Sequence, residues 1–224
     1  MKNKKGALPI LAVLALACLL MGVVDALWQP GYVIKSAVKL GLFLGLPWLV
    51  RYRIEREELR SFFRLDGRLF RAVSAGLGIY GLITGGYFLV SRFFDFSGVT
   101  GALEQDVGVT AGNFLLVAVY ISFVNSLLEE FFFRGFAFLS LRQQLGEGTA
   151  SLCSAGAFAL YHVAMLLGWF RWDLLCLLIA GLLAAGLLFN RVDRRSGTLW
   201  NSWCLHMFAN FAINTVGVIL LYTD

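Results

Sequence analysis

The stretch that decides the fold is NFLLVAVYISFVNSLLEEFFFRGFAFLS, residues 113–140, an apolar run interrupted by Glu129, Glu130 and Arg134. A helix needs about 20 apolar residues to cross the hydrocarbon of a bilayer, and this run is long enough to cross it with a tilt. A charged side chain in the middle of such a helix costs roughly 2.5 to 3.5 kcal/mol on insertion scales. The stretch therefore predicts a membrane-spanning helix whose charged residues have partners inside the protein or a function.

The composition of the whole chain is that of a membrane protein. Of its 224 residues, 59% are hydrophobic and 15% are charged, which lies outside the range of soluble domains. We predict an all-α, polytopic membrane helix bundle of about seven transmembrane helices, or six to eight if a weak span is lost or a long one is split. No polar run is long enough for a separate domain, so we expect one integral membrane domain over residues 1–224. Windows of about 19 residues place the spans at 7–28, 32–50, 73–94, 113–140, 149–169, 171–190 and 198–221.

The formal net charge of +5 reflects membrane topology rather than nucleic-acid binding. Most Lys and Arg residues fall in alternate loops, which predicts a cytoplasmic N-terminus and an outside C-terminus. Lys35 and Lys39 lie near one end of the second span, where long side chains are expected to snorkel towards the headgroups. The basic segment 51–71 is compatible with an interfacial helix or with a solvated linker. The expected partner is the lipid bilayer, with no nucleic acid.

Polar residues from three different spans are predicted to meet at one depth. Glu130 and Arg134 are four residues apart on a helix, which suits a salt bridge, whereas Glu129 points about 100° away from Glu130 and has no such partner on its helix. The two histidines of the chain, His162 and His206, both lie in apolar spans. Counted along the helices, Glu129 and the two histidines lie roughly 12 to 20 Å from the cytoplasmic ends of their spans. They can therefore line one pocket.

The pocket has two further candidate residues and two chemical interpretations. Asn210 lies one turn after His206, and Phe158 lies one turn before His162, where its ring can form a wall. In the first interpretation, Glu129 and His162 activate a water molecule while His206 and Asn210 stabilise an oxyanion. In the second, Glu129, His162 and His206 bind Zn²⁺, which activates the water. The metal-free interpretation is favoured because H-E-x-x-H is lacking, and no other cofactor is expected.

Three motifs in this order resemble the CPBP family of CAAX-protease and bacteriocin-processing intramembrane proteases, which are related to the Ras-converting CAAX endopeptidase. The motifs are Glu129-Glu130-x-x-x-Arg134, Phe158-x-x-x-His162 and His206-x-x-x-Asn210. The resemblance implies an intramembrane endopeptidase with a catalytic core over approximately residues 113–215. It implies that Glu129 activates the water beside His162, that His206 and Asn210 form the oxyanion site, and that Glu130 and Arg134 support the site.

The substrate is expected to be a peptide or a membrane protein. Compact loops and a short chain are typical of a prokaryotic cell-membrane protein, for which CAAX prenylation is not expected, and bacterial members of the family are linked to peptide processing and bacteriocin immunity. The alternative is a non-catalytic immunity or partner protein that keeps the fold. A proton relay is a third hypothesis, which is disfavoured because the polar residues sit at one depth and form no ladder across the membrane.

Overall fold

The computed structural model describes residues 6–50, 62–64, 67 and 69–223, and within these ranges the regular structure is helical with no strand. Seven helices in these ranges are long and apolar enough to cross a membrane, which confirms the predicted all-α bundle of an integral membrane protein. A short helix, α4 (Gly98–Val107), lies in the connection between two of them. The spans are α1 (Ala7–Trp28), α2 (Tyr32–Val50), α3 (Phe70–Val90), α5 (Phe114–Leu145), α6 (Glu147–Leu166), α7 (Trp172–Ser196) and α8 (Trp200–Leu221).

Helix α5 forms the centre of the bundle. All residues from 128 to 141 are buried, so the helix contacts protein on every side. A helix that is apolar all round is typical of such a central position. Phe43 of α2 stacks on Phe132 of α5 with ring centroids 4.1 Å apart, and it meets Tyr161 of α6 edge-on at 5.4 Å. Aromatic contacts therefore join three helices around the segment that carries both glutamates.

The connection between α5 and α6 is a single glycine. Gly146 has φ +86°, in the region that favours glycine because a side chain would clash with its own backbone. This residue reverses the chain so tightly that α5 and α6 are antiparallel neighbours. The tight connection places the glutamates of α5 beside the histidine of α6.

Helix α3 is the most peripheral span. It packs along α8 and otherwise exposes most of its surface, as expected for a helix that faces lipid. Gly76 allows a close approach to α8, since a Cβ atom at this position would lie 2.4 Å from Cδ2 of Phe208. Tyr80 and Thr215 share a hydrogen bond of 3.0 Å between the two helices. The contact therefore runs along both helices, and these residues of it are not among the predicted site residues.

Helix α5 is π-helical on both sides of Glu129, over Ile121–Asn125 and Glu130–Leu139. Such segments widen the turn and change which backbone carbonyls face the neighbouring helices, and they are frequent at functional sites. The amide of Asn210 on α8 donates to the Ile121 carbonyl at 3.1 Å, and that of Asn214 donates to the Ala118 carbonyl at 3.3 Å. The amides therefore fix α8 against the first π-helical segment.

The prediction that Lys35 and Lys39 snorkel towards the headgroups is wrong. Lys35 forms an ion pair with Asp25 of α1, in which Nζ and Oδ1 are 2.5 Å apart and the carboxylate is fully covered. Lys39, one turn further along α2, is 94% buried and forms an ion pair with Glu129 of α5. Both lysines turn into the bundle because carboxylates there supply the opposite charge. The Lys35–Asp25 pair lies one turn of α2 from the Lys39–Glu129 pair, so buried charge extends beyond the predicted pocket.

The basic segment 51–71 lies mostly outside the described residues, so neither its interfacial-helix nor its linker interpretation is tested. Two of its residues contact the bundle through their backbone carbonyls. The Phe62 carbonyl accepts a hydrogen bond from the Leu199 N–H at 3.0 Å, and the Phe63 carbonyl accepts one from the Trp200 indole at 2.8 Å. Both contacts fix the chain before α3 against the start of α8.

Candidate active site

The carboxylate of Glu129 has two oxygens in different surroundings. Oε1 accepts hydrogen bonds from Lys39 Nζ at 2.5 Å and from Asn125 Nδ2 at 3.1 Å. Oε2 lies 4.0 Å from His162 Nε2 and 3.7 Å from His206 Nε2. The side chain is 98% buried in the bundle. One oxygen is thus held by α2 and by the preceding turn of α5, while the other faces the two imidazoles.

Lys39 is a site residue that the sequence analysis missed. Glu129 was expected to be unpaired, but its partner lies on a different span and therefore leaves no spacing pattern in the sequence. Two signals were present, namely a buried carboxylate that needs an opposite charge and a lysine inside the second apolar span. Asn125 could have been found directly, because it lies one turn before Glu129 on the same helix.

Glu130 contacts two partners rather than one. The predicted pair with Arg134 is present, with Oε1 3.3 Å from Nη1 and both side chains fully buried. The same oxygen accepts a hydrogen bond from Nδ1 of His206 at 2.7 Å. No spacing pattern predicts this second contact, because it joins residues 76 positions apart. Glu130 therefore orients a candidate catalytic histidine in addition to neutralising Arg134.

The guanidinium of Arg134 is enclosed by aromatic rings. Its central carbon lies 4.2 Å from the ring centroid of Phe158, 5.1 Å from that of Phe189 and 5.9 Å from that of Phe133. A desolvated guanidinium over ring faces is attracted by their quadrupoles. Glu130 and these rings surround an arginine that is completely excluded from lipid and water, although its guanidinium nitrogens make no hydrogen bond of good geometry to the described residues.

His162 is held in one tautomer by its own helix. Its Nδ1 lies 2.7 Å from the Phe158 carbonyl, and a carbonyl can only accept, so Nδ1 carries the hydrogen. In the neutral imidazole, Nε2 is then an acceptor, and it faces Glu129. The Phe158 ring lies edge-on against both histidines, 4.7 Å from His162 and 5.9 Å from His206. Phe158 thus occupies the wall position that its spacing predicted.

The structure brings the candidate residues together from four spans. Glu129, Glu130 and Arg134 come from α5, and Lys39 comes from α2. His162 of α6 and His206 of α8 complete the cluster around the Glu129 carboxylate. Asn210 lies one turn from His206 and uses one amide hydrogen on the Ile121 carbonyl, which leaves a second amide hydrogen. Lys39 and Arg134 supply positive charge opposite Glu129 and Glu130. The fully buried Asp193 is a third carboxylate, which interacts electrostatically with Glu130 and Arg134.

A resident zinc ion would need three or four His, Cys, Asp or Glu side chains of the site as ligands. Among the described residues, no group of three His, Cys, Asp or Glu side chains is arranged to hold a metal. The carboxylate that zinc would need already binds the ammonium of Lys39 at 2.5 Å, and a dication there would be repelled by it.

The motif-bearing segment of the chain matches a known family. Residues 111–212 match the model of the Rce1-like family, the type II CAAX prenyl endopeptidases. No curated protein and no solved structure matches the chain. The family match spans all three motifs and confirms the resemblance drawn from them, whereas Lys39 lies outside the matched segment.

Proposed function

We propose that this chain, whose residues 111–212 match the Rce1-like family of CAAX-type endopeptidases, hydrolyses a peptide bond within the membrane by a metal-free mechanism. The observation that carries this mechanism is the arrangement around Glu129, in which one oxygen is occupied by Lys39 and Asn125 and the other faces two histidines. A carboxylate held in this way has one oxygen left to accept a proton.

The attacking water is proposed to lie between Glu129 and His162. Glu129 Oε2 and His162 Nε2 are 4.0 Å apart, so one water oxygen can contact both. Because His162 Nε2 is an acceptor, the water directs one hydrogen to His162 and the other to Glu129. As the water oxygen forms a bond with the carbonyl carbon, Glu129 takes its proton and the carbonyl oxygen becomes an oxyanion.

His206 and Asn210 are proposed to stabilise this oxyanion. Since Nδ1 of His206 donates to Glu130, its Nε2 is a donor only in the imidazolium form, for which Glu130 supplies the opposite charge. The second amide hydrogen of Asn210 is the other donor. When the intermediate collapses, the proton on Glu129 passes to the leaving amide nitrogen, the C–N bond breaks, and a carboxylic acid and an amine are released.

The proposed substrate is a peptide or a membrane protein of a prokaryotic cell. The chemistry requires only an amide bond that reaches Glu129, and buried surroundings restrict it to segments that enter the bilayer. Two probes separate the substrate classes. One is an internally quenched farnesylated peptide with a Cys-aliphatic-aliphatic-X end, and the other is an internally quenched set of unmodified apolar peptides.

The test is cleavage of both probes by the purified chain in proteoliposomes. We expect Glu129→Gln to lower kcat on the order of 100-fold or more, because an amide cannot take the proton from water. Wild-type activity should survive a zinc chelator. Undiminished cleavage by Glu129→Gln would contradict the assigned base, and chelator-sensitive cleavage that zinc restores would contradict the metal-free mechanism. Binding of the probes without cleavage would favour the non-catalytic partner instead.

A further inference from the structure

We propose that Lys39 is a positioning residue of the candidate active site, which holds one oxygen of Glu129 so that the other is aimed at the two histidines. The inference rests on the proposed function for its catalytic consequence. It concerns a residue of α2, which lies outside the segment that matches the endopeptidase family.

The ammonium of Lys39 is held by hydrogen bonds to two side chains of α5. Its ammonium donates to Glu129 Oε1 at 2.5 Å and to Asn125 Oδ1 at 2.6 Å. Asn125 in turn donates from Nδ2 to the same Glu129 oxygen at 3.1 Å. The three side chains therefore form a closed ring of hydrogen bonds. Rotation of the Glu129 carboxylate, which would exchange its two oxygens, breaks two bonds of this ring.

Aromatic side chains hold the ammonium in place. Lys39 Nζ lies 5.0 Å from the ring centroid of Tyr161 and 5.4 Å from that of Phe43. Lys39 as a whole is 94% buried. A lysine side chain loses much of its conformational freedom when it is fixed in this way, and the ion pair and ring contacts offset that cost.

Removal of the ammonium is expected to affect the free oxygen as well as the bound one. Without Lys39, a buried Glu129 carboxylate lacks its opposite charge, and only the Asn125 amide, 3.1 Å from Oε1, still holds that oxygen in the ring. The carboxylate can then rotate away from the orientation in which Oε2 faces the histidines and the proposed water. Lys39 therefore acts through Glu129 and does not touch the substrate.

The chain contains a matched control on the same helix. Lys35 lies one turn before Lys39 and also forms a buried ion pair, with its Nζ 2.5 Å from Asp25 of α1. Lys35→Met leaves a buried aspartate unpaired, just as Lys39→Met leaves Glu129 unpaired. Both variants leave a buried carboxylate without its cation, but only Lys39→Met alters the candidate site.

The first test compares steady-state kinetics of the two variants on whichever quenched peptide the wild type cleaves. We expect Lys39→Met to lower kcat by about 100-fold, the scale of a misplaced general base, with KM within about threefold of wild type. Lys35→Met should keep kcat within about threefold of wild type. Equal kcat losses in the two variants would overturn the positioning role while leaving the proposed function intact.

The second test does not require activity and measures thermal unfolding of the purified chain in detergent. Lys39→Met and Glu129→Gln should each lower Tm, and the double variant should recover most of the loss, because it leaves no unpaired buried charge. Strictly additive Tm losses would show that the two residues are not coupled and would overturn the inference. If the Tm losses of the two variants are coupled but the wild type cleaves no peptide, the proposed function is overturned and the contact between Lys39 and Glu129 stands.

Discussion

Helices α5 and α3 are both apolar membrane spans, but they have opposite surroundings. Residues 128–141 of α5 are all buried, whereas α3 exposes most of its surface and packs on α8. Average hydrophobicity does not separate the two helices, since lipid and protein interiors accept the same apolar residues. The charged residues separate them, because Glu129, Glu130 and Arg134 would be too costly on a lipid-facing helix. Charged residues within a span therefore mark the central helix of this bundle.

The largest loss of stability is expected when the cation inside α5 is removed. Arg134→Met leaves Glu130 without its fully buried partner and should lower the free energy of unfolding by about 3 to 5 kcal/mol. Denaturation in detergent measures this change. Arg171→Met is the control, since Arg171 pairs with Asp173 at 3.2 Å on the surface, where ion pairs contribute little. Equal losses of stability in both variants would show that the buried ion pair of α5 contributes no more than a surface one.

A smaller effect is expected at Glu130, the neighbour of the candidate base. Glu130→Gln keeps the shape of the side chain but weakens the contacts with Arg134 and His206, so we expect a loss of about 1 to 3 kcal/mol in stability. Cleavage should also slow, because Glu130 orients His206. Kinetics and denaturation of the same preparation check both expectations. Wild-type cleavage at reduced stability would show that the contact with His206 has no catalytic part.

On α3, only the face against α8 should be sensitive. Gly76→Ala introduces a Cβ atom against the Phe208 ring and should cost about 1 kcal/mol. Gly78→Ala is the matched control, because its Cβ atom meets nothing within 4 Å. Thermal unfolding of the two variants distinguishes the packed face from the lipid-facing one, and a greater loss for Gly78→Ala would reverse the assigned faces.

The smallest effect is expected on the lipid-facing side of α3. Leu82 is 75% exposed in the bundle, and Leu82→Ala should change the free energy of unfolding by less than about 0.5 kcal/mol. Denaturation in detergent checks this value. A loss of several times that size would indicate that α3 has a protein partner on this face.

The sequence predicted the spans and most of the candidate cluster for physical reasons that act locally. Hydrocarbon thickness sets the length of an apolar helix, so the seven spans were accessible from windows of residues. The spacing of Glu130 and Arg134 predicted their ion pair, because residues four apart on a helix are neighbours. His162 and His206 were found because polar side chains are rare in apolar spans.

The contacts between distant spans could not be predicted in the same way. The bond from Lys39 to Glu129 joins residues 90 positions apart, and the bond from His206 to Glu130 joins residues 76 positions apart. Such pairs depend on which helices are neighbours, which no single span encodes. The π-helical segments around Glu129 also escaped prediction, because such segments are rare and a long apolar run by itself predicts an α-helix.

The one-residue junction at Gly146 has a consequence for the order in which the site is assembled during synthesis. Helices α5 and α6 form a tight hairpin, and α2 precedes them, so Lys39, Glu129 and His162 are all available before α7 and α8 leave the ribosome. His206 and Asn210 arrive with the last span. A nascent chain therefore has its candidate base early but gains its candidate oxyanion donors only when α8 docks, so hydrolysis is expected to begin only after membrane insertion is complete.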